Sequence, residues 1–229
     1  MIVICPFSKP AMKARTLANL ERQAVQPDAV VIVENGPGIG AFTGKEREGL
    51  IILRSRPHQS HAKNKAVQFV RSYGGGWITV FDCDDYYGPG YIAEATDKRQ
   101  RGAIAGKLDV YTLDDEGLFL PQYEGAAAPY QCPYLMGATM TMHTGDLPAE
   151  PFAIVSPGED TQLCVDFIRQ GGQIVNLPPE GFCYIRTGTD RTWVTDVRAK
   201  QRRAKATIHV LSDSLDERIV NEGKRRRAA

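Results

Sequence analysis

Nothing in the 229-residue sequence approaches the run of about 20 apolar residues that a membrane-spanning helix requires. The opening Met1-Ile2-Val3-Ile4-Cys5-Pro6 also lacks the basic start, long apolar stretch and cleavage site of a secretory leader. Together these absences give the expectation of a cytoplasmic protein. Cysteine is scarce and scattered: Cys5, Cys83, Cys132, Cys164 and Cys183 contain no C-x-x-C pair. An odd number so spaced argues against a disulfide framework or a thiolate zinc site, and fits free thiols in a reducing compartment. No internal repeat is visible. Net charge is nearly absent too, with 28 Lys and Arg against 27 Asp and Glu.

That balance hides a division along the chain. Residues 190–229 hold 11 basic and 6 acidic residues, whereas the first 189 hold 17 and 21. The body is mildly acidic and the tail basic. With 42% hydrophobic and 24% charged residues the chain has the composition of a globular protein. Its length suits one large domain, expected over 1–189, followed by a basic extension over 190–229.

The first half alternates β-branched runs with helical patterns. Strands are expected at Ile2–Cys5 (stopped by Pro6), Ala29–Val33, Leu50–Leu53 and Trp77–Phe81, and helices at Lys9–Ala24 and Ser60–Ser72. Continuous apolar strands separated by helices signal a parallel sheet covered on both faces, so the fold class is α/β. The second half is expected to carry shorter antiparallel strands at Ala103–Leu108, Val110–Leu113 and Leu118–Pro121, the last two joined through Asp114-Asp115-Glu116-Gly117. A strand at Gly137–Met142, a helix at Glu159–Gln170 and late strands at Ile174–Leu177 and Phe182–Arg186 follow. Residues 193–211 read as a helix with a basic stripe, and the chain closes on Lys224-Arg225-Arg226-Arg227.

Chemistry concentrates in Asp82-Cys83-Asp84-Asp85, directly after an apolar strand. Crowded carboxylates raise one another's pKa, and a divalent cation with its preference for oxygen ligands relieves the repulsion. The C-terminal ends of strands are where open α/β sheets bind ligands. A solvated acidic turn is the competing explanation. Lys63 and Asn64 open a helix, where a basic side chain and the helix N-terminus favour phosphate; an ordinary capped helix explains them equally. Glu34-Asn35 ends a strand and either meets a nucleobase edge or begins a turn. Gly158-Glu159-Asp160 starts another helix, and a carboxylate there either complements the dipole or acts as a general base.

Taken in order, these segments resemble a family 2 glycosyltransferase with the GT-A fold. Val3-Ile4-Cys5-Pro6-Phe7 and Arg15-Thr16-Leu17 resemble that family's first strand and helix, and Pro27-Asp28 with Val30–Val33 and Glu34-Asn35-Gly36 its second strand and acidic turn. Ala62-Lys63-Asn64 is similar to its Ala-Arg-Asn segment, Asp82-Cys83-Asp84-Asp85 to its D-x-D motif, and Pro89-Gly90-Tyr91-Ile92 to the usual continuation. Gly137–Met140 is similar to the acceptor-side strand and Gly158–Leu163 to the G-E-D-x-x-L segment. The resemblance covers roughly residues 2–187.

The resemblance implies a nucleoside-diphosphate sugar donor, most plausibly a UDP-sugar, and a Mn²⁺ or Mg²⁺ ion. Pro6 and Glu34 would line the base and ribose pocket, and Asp82 the ribose side. Asp84, with Asp82, would hold the metal, while Lys63 and Asn64 would face the diphosphate; Arg186 would touch the diphosphate or pair with a nearby carboxylate. Asp160 would be the base, with Glu159 as substitute, and a single base implies inversion at the anomeric carbon. Lys63 departs from the family's arginine and loses its bidentate fork. A family histidine ligand is missing near Tyr184-Ile185-Arg186, where Thr187-Gly188-Thr189 follow; His143 and His209 read more readily as structural.

The acceptor stays open between a glycan, a lipid carrier, a protein side chain and a modified nucleic-acid base. Tyr123, Tyr130 and Tyr134 are candidate stacking groups or simple packing. The basic extension reads as a covering helix, a contact with an anionic lipid surface, or a nucleic-acid contact. A nucleotidyltransferase is disfavoured, because Pro6-Phe7-Ser8-Lys9-Pro10 does not resemble a Gly-rich, Arg-containing loop. The alternative from another class is a non-catalytic protein of the same fold that uses its tail on nucleic acid or a partner.

Overall fold

The structure is a computed structural model and describes residues 1–114, 117–119, 134–155 and 157–186. The expected extension over 190–229, with its helix, and Tyr123 and Tyr130 lie outside the described residues. In chain order the elements are β1 (Ile2–Phe7), α1 (Lys13–Glu21), β2 (Ala29–Asn35), β3 (Leu50–Ser55), α2 (Gln59–Ser72), β4 (Trp77–Val80), β5 (Tyr86–Tyr87), α3 (Tyr91–Asp97), β6 (Ala103–Gly106), β7 (Tyr111–Asp114), β8 (Gly117–Phe119), β9 (Thr141–His143), α4 (Glu159–Arg169), β10 (Gln173–Asn176) and β11 (Phe182–Arg186).

Seven strands form the central sheet in the order β10-β6-β9-β4-β1-β2-β3. All pairings are parallel except those of β9, which lies antiparallel between β4 and β6. β-Branched residues alternate faces and fill both. Ile4, Val31, Val33, Ile78 and Val80 pack with Ala62, Ala66, Val67 and Val70 of α2 and with Leu163, Cys164 and Phe167 of α4. Val3, Cys5, Phe7, Val30 and Ile32 pack with Leu20 of α1 and Ile92 of α3 on the other side. Each fully buried Val, Ile or Leu contributes about 1.5–3 kcal/mol, so these two faces dominate the stability of the sheet. No helix among the described residues is long and apolar enough to cross a membrane.

The differences from expectation have local causes. β1 continues through Pro6, which the sequence reading treats as its end. The Phe81 N–H donates to the Ile4 carbonyl at 2.9 Å, so even-numbered residues of β1 aim their backbone groups toward β4. That strand ends at Val80, so a donor at residue 6 would meet no ladder acceptor and the proline costs no bond. Segment 103–106 joins the main sheet, antiparallel to β9 as expected but parallel to β10 on its other side, and all four of its residues are buried. The hairpin of β7 and β8 is present, in a second sheet of order β5-β11-β7-β8 in which β11 and β7 run parallel. Residues 137–139 form a 3-10 turn, not the start of a strand. There the Thr139 hydroxyl donates to the Met136 carbonyl at 2.8 Å and closes the turn locally.

Candidate active site

The acidic turn Asp82–Asp85 follows β4 at the C-terminal edge of the sheet and is held by α1. Arg15, Thr16 and Asn19 lie at i, i+1 and i+4 of α1, and Gln23 follows just past its C-terminal end. The Arg15 guanidinium donates to the Asp84 carbonyl at 2.7 Å, the Thr16 hydroxyl to the Cys83 carbonyl at 3.3 Å, and the Asn19 amide to the Asp85 carbonyl at 2.8 Å. Gln23 continues the stripe, donating to the Gly88 carbonyl at 2.9 Å and accepting from the Ile92 N–H at 3.1 Å. Beneath the turn, Phe81 and Tyr87 stack at 3.8 Å. The Asp82 N–H donates to the Tyr87 hydroxyl oxygen, which in turn donates to the Ala138 carbonyl. The backbone of the turn is thus fixed from three directions, and the carboxylates are left to project.

Each carboxylate faces a cation. Asp84 accepts from the Lys9 ammonium at 2.6 Å. Asp85, buried, accepts from Arg186 at 3.1 Å and from the Ile185 N–H at 3.2 Å. β11 delivers Arg186 through its pairing with β5 (Phe182 opposite Tyr87), and the guanidinium lies 4.0 Å from the Tyr184 ring. Asp82 feels Lys63, but burial outweighs that attraction, and with Asp84 and Glu159 nearby its carboxyl is pushed up to about 6. Lys63 is itself buried, which works against its charge; Asp82, Glu159 and Asp160 together more than offset this and raise its pKa.

The opposite wall is the start of α4. Gly158 precedes it at φ 110°, a conformation that glycine adopts without strain. Glu159 takes a salt bridge from Lys63 at 3.2 Å. Asp160 accepts two backbone N–H groups instead, Gly137 at 3.1 Å and Thr161 at 2.7 Å. A Cβ on Gly137 would stand 3.1 Å from that of Asp160 and 3.3 Å from Lys63 Nζ, so a side chain here would have to push one of these groups back by a few tenths of an ångström.

Asp82, Asp84, Lys63, Glu159, Asp160 and Arg186 therefore share one end of the sheet. Glu34 and Asn64 are placed differently. Glu34 is fully buried, and its carboxylate accepts the Gly40 and Phe42 N–H groups at 2.8 and 2.7 Å, anchoring the excursion between β2 and β3. Asn64 grips Phe152, donating to its carbonyl at 2.8 Å and accepting from its N–H at 2.9 Å. Pro6 is buried in β1 opposite Val33. His143 pairs with Trp77 at the far end of β4 and accepts from the Gly145 N–H, so it caps a turn away from Asp82. Lys9 and the polar stripe of α1 escape the sequence reading; the one signal for the stripe is polar residues at four-residue spacing on a face that should be apolar.

The residues fit a divalent cation. One oxygen from each of Asp82, Asp84 and Asp85 lies within 4.8 Å of the others. Ligands on opposite sides of an ion held at about 2.1 Å are roughly 4.2 Å apart, so a small contraction suffices. Among the described residues, Asp82 Oδ1 and Asp85 Oδ2 are buried without a hydrogen-bond partner, as are Asn35 Oδ1 at the end of β2 and Ser60 Oγ in the first turn of α2. Two such oxygens within one acidic cluster indicate an interaction that the protein alone does not complete.

No protein-family model and no curated protein sequence matches the chain. Solved structures do. GalNAc-T7 with UDP, GalNAc and Mn²⁺ aligns with a TM-score of 0.58 at 13% identity, covering 84% of this chain and 44% of that one. The mannosyltransferase PcManGT from Pyrobaculum calidifontis, in complex with GDP-Man and Mn²⁺, gives 0.57 at 13% identity, covering 89% and 61%. Residues 1–349 of S. aureus TarS give 0.52 at 16% identity, covering 81% and 60%. This chain spans about half to three-fifths of the length of those structures. At such identities the likeness speaks to architecture: the chain has the GT-A fold of nucleotide-diphospho-sugar transferases.

Proposed function

We propose that the protein is a metal-dependent glycosyltransferase that moves a sugar from a nucleoside-diphosphate donor to an acceptor hydroxyl. The observation that carries this reading is the Asp82–Asp84–Asp85 cluster, with two orphaned carboxylate oxygens, on the same sheet edge as the backbone-held carboxylate of Asp160. Asp82 and Asp84 would hold the ion, with Asp85 behind them. When bound, the ion supplies Lewis-acid neutralisation of the charge that builds on the departing nucleoside diphosphate.

Lys63 and Arg186 flank the acidic turn and offer the donor's phosphates two fixed positive charges. Asp160 removes the acceptor's proton. Its two backbone donors fix its direction, whereas Glu159 is bound to Lys63. A single base on one side of the sugar gives inversion of configuration. UDP is our choice of nucleotide, and a cytoplasmic setting accords with four buried free cysteines among the described residues.

Calorimetry of UDP binding tests the reading directly. Micromolar binding with Mn²⁺ (about −8 kcal/mol) that disappears with chelator and in Asp84→Asn is the expected result. Preference for another nucleoside diphosphate would change the donor and keep the transferase. Absence of binding by every nucleoside diphosphate would overturn it.

A further inference from the structure

The acidic turn carries its own counter-ions, and they differ in exposure. Lys63 is 1% exposed and locked to Glu159, and Arg186 is held between Asp85 and the Tyr184 ring. Lys9 and Asp84 are each about one-fifth exposed. Lys9 stands on the short link between β1 and the turn Pro10–Met12 that leads into α1, outside any regular element. Its ammonium sits on the very carboxylate that a metal requires. A cation arriving alone must expel that ammonium into water. A cation arriving with a diphosphate gives the ammonium a new anion within the same site.

We propose that Lys9 is a tethered counter-ion that couples metal binding to diphosphate binding. It occupies Asp84 while the donor is absent, and moves to the donor's phosphates when they arrive, releasing Asp84 to the ion. The inference rests on the reading of this edge as a metal and nucleoside-diphosphate site. Its consequence is mutual: whatever the diphosphate does for the metal's affinity, the metal does for the diphosphate's. The device keeps the D-x-D turn from filling with a divalent ion before the donor is present.

Mn²⁺ binding read by electron paramagnetic resonance, without and then with UDP, tests this on wild type, Lys9→Met, Lys9→Arg and Asp84→Asn, after correction for Mn²⁺–UDP formed in solution. Lys9→Met should bind Mn²⁺ alone about tenfold more tightly than wild type, and the strengthening by UDP should shrink by a similar factor. Lys9→Arg should retain the coupling, and Asp84→Asn should lose Mn²⁺ binding. Equal Mn²⁺ affinity of wild type and Lys9→Met without nucleotide would overturn the coupling while leaving the metal site standing. Failure of every protein to bind Mn²⁺, with or without UDP, would remove the metal site and the coupling together.

Discussion

At the scale of single residues, the adjacent carboxylates Glu159 and Asp160 owe their different duties to their neighbours. Glu159 is tied to a buried ammonium, and Asp160 to two N–H groups that orient it without cancelling its charge. Asp160→Asn should therefore lower kcat by 10²–10⁴-fold while leaving nucleotide affinity unchanged. Glu159→Gln should cost less in kcat and weaken donor binding, because Lys63 loses the partner that places it; steady-state kinetics beside calorimetry separates the two. Asp85 presents the opposite case, a carboxylate sealed under Arg186. Arg186→Met strands that charge and should cost about 3 kcal/mol in urea unfolding. Adding Asp85→Asn should recover part of the loss. The carboxylates are legible in the sequence because each follows a strong local signal, an apolar strand or a glycine before a helix. Lys9 is not, and for Arg186 the residue is legible but its partner is not, since the groups they meet lie 75 and 101 residues away along the chain.

At the scale of elements, the site is held by polar groups placed where apolar ones are expected. Asn64 lies on the buried face of α2 and both ends of its amide engage Phe152, which fixes the segment leading to Asp160. Asn64→Ala should cost about 2–4 kcal/mol, the loss of two buried hydrogen bonds, and lower kcat more than nucleotide affinity. The sequence reading groups Asn64 with the donor contacts, since a polar residue in the first turn of a helix says nothing of its direction until the facing loop is in place. The excursion between β2 and β3 is pinned by two carboxylates, Glu34 from below and Glu46 within it. Hydrogen bonds from Lys13 and then from the Thr43 N–H lower the Glu46 carboxyl from 4.5 to about 2. The folded state thus favours the ionised form, and this contribution is present above pH 4.5 and lost as the pH falls toward 2. Glu46→Gln should be less stable than wild type at pH 7, and the gap between their urea midpoints should close on acidification through that window. A gap that stays constant with pH would assign the effect to shape instead of charge.

At the scale of the whole molecule, what positions the chemistry is the meeting of two sheets at the acidic turn. The strands of the first half are legible from their β-branched runs, and their shared C-terminal edge follows from parallel pairing. The insertion of antiparallel β9 between β4 and β6 is not, because its three residues carry no pattern of their own. Nor is the route by which β11 returns to β5 and closes Arg186 over the acidic turn. A ligand held between these parts binds the folded chain and not the unfolded one, so it must stabilise the whole. At a concentration 100-fold above its dissociation constant, a nucleoside diphosphate with Mn²⁺ adds about 2.7 kcal/mol. For a chain of this length that corresponds to a rise in Tm of about 5–10 °C. The rise should vanish with chelator and in Asp84→Asn, and it should appear as one transition, because the turn is bonded to α1, β11 and the Ala138 backbone at once. A ligand-induced shift confined to part of the unfolding profile would mean that the site's walls belong to separate cooperative units, and that the carboxylates of β4 and α4 meet only when the donor draws them together.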